Sequence, residues 1–273
     1  MKEPSFIYKT IDKKDVFKGL NISLPLFIAG PCAVESFSQL DKTAECLKAL
    51  GINYMRAGAY KPRTSPYSFT GLKEEGLYLL KAVKEKHGIK IVTELTDIKH
   101  LDKVSRVGDV IQIGSRNCQN FELLTEIGKC PLPVLLKRGM MSKVEEFLLA
   151  SEYVLKGGNK NLILCERGIR TFDNTLRNTL DVGAISYIKA NTNLPVIADP
   201  SHASGFREYV FDLGLSAIAA GADGLIVEVH PDCDSAKCDG RQSLTPDDFK
   251  RLYYKAIEIY KTINEKPAEL AYA

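Results

Sequence analysis

Four side chains of the kinds that hold a transition metal stand at or just beyond the ends of apolar runs. Cys32 closes LPLFIAGPC, His202 follows PVIADPS, Glu228 follows GLIV, and Asp239 lies in the next loop. A thiolate, an imidazole and two carboxylates together suit a borderline divalent ion. One comes from the start of the chain and three from its last third, so they meet only if the chain closes on itself. A second group is cationic: Arg56, Lys61, Arg63, Arg116, Lys137 and Arg167 stand at the ends of other runs or just after them. So many cations at one mouth require an anion to balance them. Arg offers a planar fork to carboxylate or phosphate and Lys a compact charge. The expected substrates are small and multiply anionic, with phosphate.

Each residue also has a plainer reading. A single Cys after a strand is ordinarily core, His202 alone can cap the helix that follows, and Asp239 before Gly240 is ordinarily a turn residue. Glu228 inside an apolar run resists this, because a buried carboxylate needs a partner. Taken jointly, the metal reading leads. Arg63 and Arg138 have the weakest positional case, since either can face outward. His87 and His100 read as surface helix residues. His230 either supports the metal set or packs beside it. Glu94, Ser115, Glu166 and Asp199 complete the polar strand ends.

What must position these groups is a repeated unit. Apolar runs at 24–30, 53–60, 89–95, 109–114, 132–138, 161–167, 194–201 and 223–229 lack alternation, as parallel strands buried on both faces do. Helical patterns lie at 38–50 with Ser38 as cap, 74–88 ending on Gly, 142–158 with Ser142 and Glu145 as a capping box, 174–192, 205–222 and 245–263. The expectation is an α/β chain: a single (β/α)8 TIM barrel over 21–273, after a short N-terminal extension over 1–20 with a short strand around FIYKT. An open doubly wound sheet is the competitor. It loses support because no GxGxxG follows the first run and no Walker A motif occurs.

The balance of 37 basic and 34 acidic residues, net +3, with no basic tract, argues against nucleic-acid binding. No signal peptide and no run of bilayer length is present, so no membrane partner and a cytoplasmic location are expected. Seven cysteines read as reduced thiols. Cys233 and Cys238 are close enough in sequence for a disulfide or redox pair, but two loop thiols are favoured because the spacing is not CxxC.

The chain resembles the 3-deoxy-D-arabino-heptulosonate 7-phosphate (DAHP) synthases, in particular the small class related to 3-deoxy-D-manno-octulosonate 8-phosphate synthases. The matching segments are AGPCAVES (29–36), RAGAYKPRTSPYSF (56–69), TELTD (93–97), QIGSRNCQN (112–120), LLKRGM (135–140), CERGIRTF (165–172), RNTLD (177–181), ADPSHASG (198–205), VEVHPD (227–232) and CDGRQSL (238–244). The resemblance implies condensation of phosphoenolpyruvate with erythrose 4-phosphate, the first step of the shikimate pathway to chorismate and the aromatic amino acids. It implies one divalent ion (Mn, Fe, Co or Zn) on Cys32, His202, Glu228 and Asp239. Phosphoenolpyruvate is expected against Arg56, Lys61, Ser115, Arg116, Lys137 and Arg167, and erythrose 4-phosphate against Lys61, Pro62, Arg63, Thr64 and Ser65. Lys61, Glu94 and His202 are the expected catalytic groups. Glu94 would orient water, and Lys61 would protonate the new hydroxyl if neighbouring cations lower its pKa. A homo-oligomer, with a tetramer favoured, is also implied.

KPRTS, and Asp199-Pro200-Ser201-His202, separate this chain from the octulosonate enzymes, which typically carry a KANRS-like segment and Asp-Ala-Thr-His. The alternatives are an octulosonate synthase using arabinose 5-phosphate, or a non-catalytic barrel that senses metal or phosphorylated metabolites. Two departures stand out: Ala203-Ser204-Gly205 after the DPSH segment, and Cys233 and Cys238 where relatives often have Pro and Ser. The N-terminal extension is too short for a ferredoxin-like or chorismate-mutase regulatory domain. No feedback by Phe, Tyr or prephenate is therefore expected.

Overall fold

The structure, a computed structural model, describes residues 6–12, 16 and 23–265. Strands β1 (Leu26–Gly30), β2 (Tyr54–Arg56), β3 (Lys90–Glu94), β4 (Val110–Ile113), β5 (Val134–Lys137), β6 (Leu162–Glu166), β7 (Val196–Ala198) and β8 (Gly224–Glu228) form a closed barrel in chain order. Every pairing is parallel, and β8 returns to β1 in a register running from Leu26↔Gly224 to Gly30↔Glu228. Nearly every strand residue is buried, which is why the runs read as continuously apolar. Gly224 makes the seam possible. A Cβ there would stand 1.9 Å from the Leu26 carbonyl oxygen.

The helices are α1 (Ile7–Thr10), α2 (Phe37–Ala49), α3 (Glu74–His87), α4 (Leu101–Ser105), α5 (Phe121–Ile127), α6 (Val144–Lys156), α7 (Val182–Asn191), α8 (Pro200–Ser204), α9 (Arg207–Ala219) and α10 (Pro246–Asn264). Residues 7–10, expected extended, are helical, and the backbone N–H groups of Ile7 and Tyr8 donate to the Glu152 carboxylate. Helix α2 is capped by Ser36 rather than Ser38; its hydroxyl accepts from the Gln39 N–H. Helix α6 starts after Lys143, whose N–H donates to Glu146, so the expected box at Ser142 and Glu145 is displaced by one residue. The 174–192 pattern is helical only from Val182, where the Asp181 carboxylate caps it. Residues 205–222 hold α9 after a break: Gly205, at φ +73°, ends α8 in the left-handed region. Helices α4 and α5 were not expected; both are short, with little periodicity to show.

Candidate active site

All four metal-type side chains lie at the C-terminal mouth. Cys32 follows β1, His202 sits in α8, Glu228 ends β8, and Asp239 precedes a 3-10 turn at Gly240–Gln242. The structure brings them together, with one donor atom of each within 4.8 Å of all the others. Cys32 Sγ lies 3.1 Å from Asp239 Oδ2, and His202 Nε2 lies 3.4 Å from Glu228 Oε1 and 3.9 Å from Asp239 Oδ2. Donors held about 2.0–2.3 Å from one tetrahedral ion are separated by roughly 3.3–3.8 Å, so the spacing fits such an ion. Glu228 Oε1 strengthens the fit: it is buried and accepts no well-directed hydrogen bond, although Arg56 Nη2 is 3.2 Å away.

The electrostatics agree. Asp199 caps α8 through the His202 N–H and holds His202 Nδ1 at 2.8 Å, which leaves Nε2 to face the other donors. Burial lowers the His202 pKa despite Asp199 and Glu228, which favours the neutral ring that can bind an ion. Burial would raise the Asp239 pKa, but His202 and the Cys32 hydrogen bond bring it down to about 2. Asp239 also holds φ +55°, a conformation that costs a non-glycine residue. Cys32 and Cys238 stand 3.1 Å apart at sulfur, and Arg63 Nη1 lies 2.7 Å from the Cys238 sulfur. The hydrogen bond with Cys238, and then burial, push the Cys32 thiol up; the same bond and Lys61 push Cys238 down. Cys233 is elsewhere, bonded to the Ser243 carbonyl, so the sequence-adjacent pair is not the spatial one.

Above the donors lies a cavity of about 260 Å³, lined by seven cations: Arg56, Lys61, Arg63, Arg116, Lys137, Arg167 and Arg177. Pro62, Thr64, Ser65, Ser115 and Glu94 share the wall. Arg56 is 3 % exposed, and its Nε and Nη1 have no partner among the described residues, as expected of a guanidinium prepared for an anion. Lys137 pairs with Asp199, and Arg116 Nη2 donates to Thr64 Oγ1 at 3.3 Å. Glu94 ends β3 against Gly114, where a Cβ would come 2.1 Å from its Oε1.

One sequence expectation needs correction, and two open positions are placed. Lys61 does not have a lowered pKa: burial acts that way, but the Cys32, Glu94 and Cys238 charges outweigh it and raise the value. Arg138 does not reach the cavity; it is buried against Glu166 at 2.8 Å and Asp181 at 2.9 Å. His230 touches none of the four donors, bonding instead to Gln39 at 2.9 Å. His87 pairs with Asp41 at 2.7 Å, and His100 stacks on Tyr60. Arg177 and Gln242 were missed. Arg177 lay inside a stretch read as helix, and Gln242 inside a motif quoted without assigning it a role.

A model of the DAHP synthetase I family matches residues 8–265. A phospho-2-dehydro-3-deoxyheptonate aldolase from Thermotoga maritima is 52% identical over 82% of this chain and 67% of its own length. A solved structure of DAHP synthase from the same organism superposes with TM-score 0.85 at 49% identity, covering 88% of this chain and 71% of that one. More distant is a 2-dehydro-3-deoxyphosphooctonate aldolase from Desulfotalea psychrophila, 31% identical over 88% of this chain and 91% of its own. A match over almost the whole barrel, on a chain whose seam gathers these four donors beneath seven cations, shows that the protein belongs to the DAHP synthetase I family.

Proposed function

We propose that the protein joins phosphoenolpyruvate to erythrose 4-phosphate, with water, to give DAHP and phosphate, as the entry step of aromatic amino-acid synthesis. The observation that carries this reading is the joint presence of a four-donor metal group and a cavity whose wall holds seven cations. Cys32, His202, Glu228 and Asp239 would hold one divalent ion, which supplies Lewis acidity toward the aldehyde oxygen when bound. Arg56, Ser115, Arg116, Lys137 and Arg167 hold the phosphate and carboxylate of phosphoenolpyruvate. Arg63 and Thr64, beside Pro62 and Ser65, hold the aldose phosphate. So aligned, C3 of the enol phosphate attacks the aldehyde carbon, charge develops at C2, where water adds, and the C2–O bond to the phosphate then breaks, the leaving phosphate taking the proton from the added hydroxyl to leave the C2 ketone. Glu94 orients that water. Lys61, kept protonated by its anionic neighbours, holds a proton toward the new hydroxyl. Much of the rate gain then comes from positioning. The resemblance supports a cytoplasmic homotetramer, and no helix among the described residues is long and apolar enough to cross a membrane. Sedimentation velocity tests the tetramer.

The decisive assay is release of inorganic phosphate from phosphoenolpyruvate alone, with erythrose 4-phosphate, and with arabinose 5-phosphate. Release with erythrose 4-phosphate only is expected. Release only with the pentose phosphate would assign the octulosonate reaction, and binding without release under any metal would leave a sensor. Treatment with EDTA or dipicolinate should abolish turnover, and Mn²⁺, Fe²⁺, Co²⁺ or Zn²⁺ should restore it.

A further inference from the structure

Gln242 is 2 % exposed on the turn that follows Asp239, and its amide bridges two elements of the mouth. Its Nε2 donates to Glu228 Oε2 at 2.7 Å, and its Oε1 accepts from Arg177 Nη1 at 2.8 Å. The orientation of this amide is dictated by chemistry. A guanidinium can only donate, so the amide oxygen must face Arg177; the NH₂ then faces Glu228, which can only accept. Arg177 comes from the loop after β6, where its N–H donates to the Ser204 carbonyl and Gly205 leaves room for its stem, a Cβ there standing 2.6 Å from that of Arg177. The far oxygen, Glu228 Oε1, points the other way, toward His202 Nε2 at 3.4 Å.

We propose that Gln242 is a positioning residue for the Glu228 carboxylate, with Arg177 fixing the sense of its amide. The bond to Oε2 would hold the carboxylate so that Oε1 is the oxygen turned toward an ion. This inference rests on the metal reading above. Because Arg177 also lines the cavity, the bridge connects an anion-facing cation to a metal donor through two hydrogen bonds.

The test is a titration of the metal-stripped protein with Co²⁺, read by chelator competition and by the visible spectrum. Wild type, Q242M, Q242N, R177M and the Q242M/R177M double variant are compared. Loss of a hydrogen bond to a ligating group costs about 10- to 100-fold in metal affinity. That loss is expected for Q242M, with a weaker band as the freed oxygen raises the coordination number. R177M should lose less through this bridge; because Arg177 Nη1 also lies 3.9 Å from Asp239 Oδ1, the double variant should lose at least as much as Q242M. Q242N, which keeps the amide on a shorter stem, should fall between wild type and Q242M. Q242M binding Co²⁺ with wild-type affinity and spectrum overturns the proposal. Failure of the wild type itself to bind would instead remove the metal reading and this inference with it. Thermal melts of the stripped variants separate misfolding from ligand disorder.

Discussion

Arg63 is the residue on which the proposed division of the cavity between two substrates turns. Its guanidinium reaches the Cys238 sulfur and lines the same wall as Thr64. A charge-assisted contact to a phosphate contributes about 1.5–3 kcal/mol. Arg63→Ala should therefore raise the KM for the aldose phosphate by roughly 10- to 100-fold, with a far smaller rise for phosphoenolpyruvate. Equal rises in a steady-state assay would refute the division. Cys32→Ala and His202→Ala should each abolish metal-dependent turnover while leaving the circular-dichroism spectrum intact; turnover surviving in chelated Cys32→Ala would remove the ion from the chemistry. At this scale the sequence is informative where chemistry is unusual for its setting. Glu228 within an apolar strand and cations at strand ends were legible for that reason. Arg138 shows the limit: it occupies an equivalent position one residue past Lys137 yet turns to Glu166, and only the packing of α7 and its cap Asp181 determines that.

The elements that carry these residues are tuned by short-range sterics. Gly114, just after β4, leaves the space that Glu94 fills. Gly114→Ala should displace the carboxylate and reduce kcat at least about 10-fold, the scale of general acid–base and positioning losses, with little change in KM. A normal kcat would show that Glu94 has no such role. At the N-terminus of α2, Ser36→Ala should cost about 1 kcal/mol in a urea melt, whereas Ser38→Ala should cost much less. Strands were legible because burial on both faces leaves an unbroken apolar run. Helix starts were less so, because a cap depends on where the chain bends, and several Ser, Asp and Lys positions compete. The loop at residues 174–181 shared its apolar spacing with the helix after it, which is how Arg177 stayed out of view.

For the whole molecule, the acid limit follows from buried carboxylates. Asp199 is held well below its ordinary value of 3.8, burial being outweighed by His202 and Lys137, and Asp239 is lowered to about 2. Groups lowered on folding stabilise the fold above their unfolded values and lose that contribution as pH falls through the folded ones. Glu166 has the opposite sign, since burial raises it. With two groups against one, the ion-free protein should lose urea resistance between its ordinary carboxylate range near 3.8 and about 2. Asp239→Asn should flatten that slope; an unchanged slope would remove Asp239 from the account.

The pairing of β1 with β8 also orders events during translation. A chain leaving the ribosome carries an early strand with one edge that stays unmatched until residues 224–228 have emerged. Such an edge invites wrong partners, and the sulfur of residue 32 waits beside it. Only when residue 239 is out of the exit tunnel can the donors gather. An ion held by the four proposed donors would thus be captured only after residue 239 has emerged, and fragments that stop before it would lack part of the donor set.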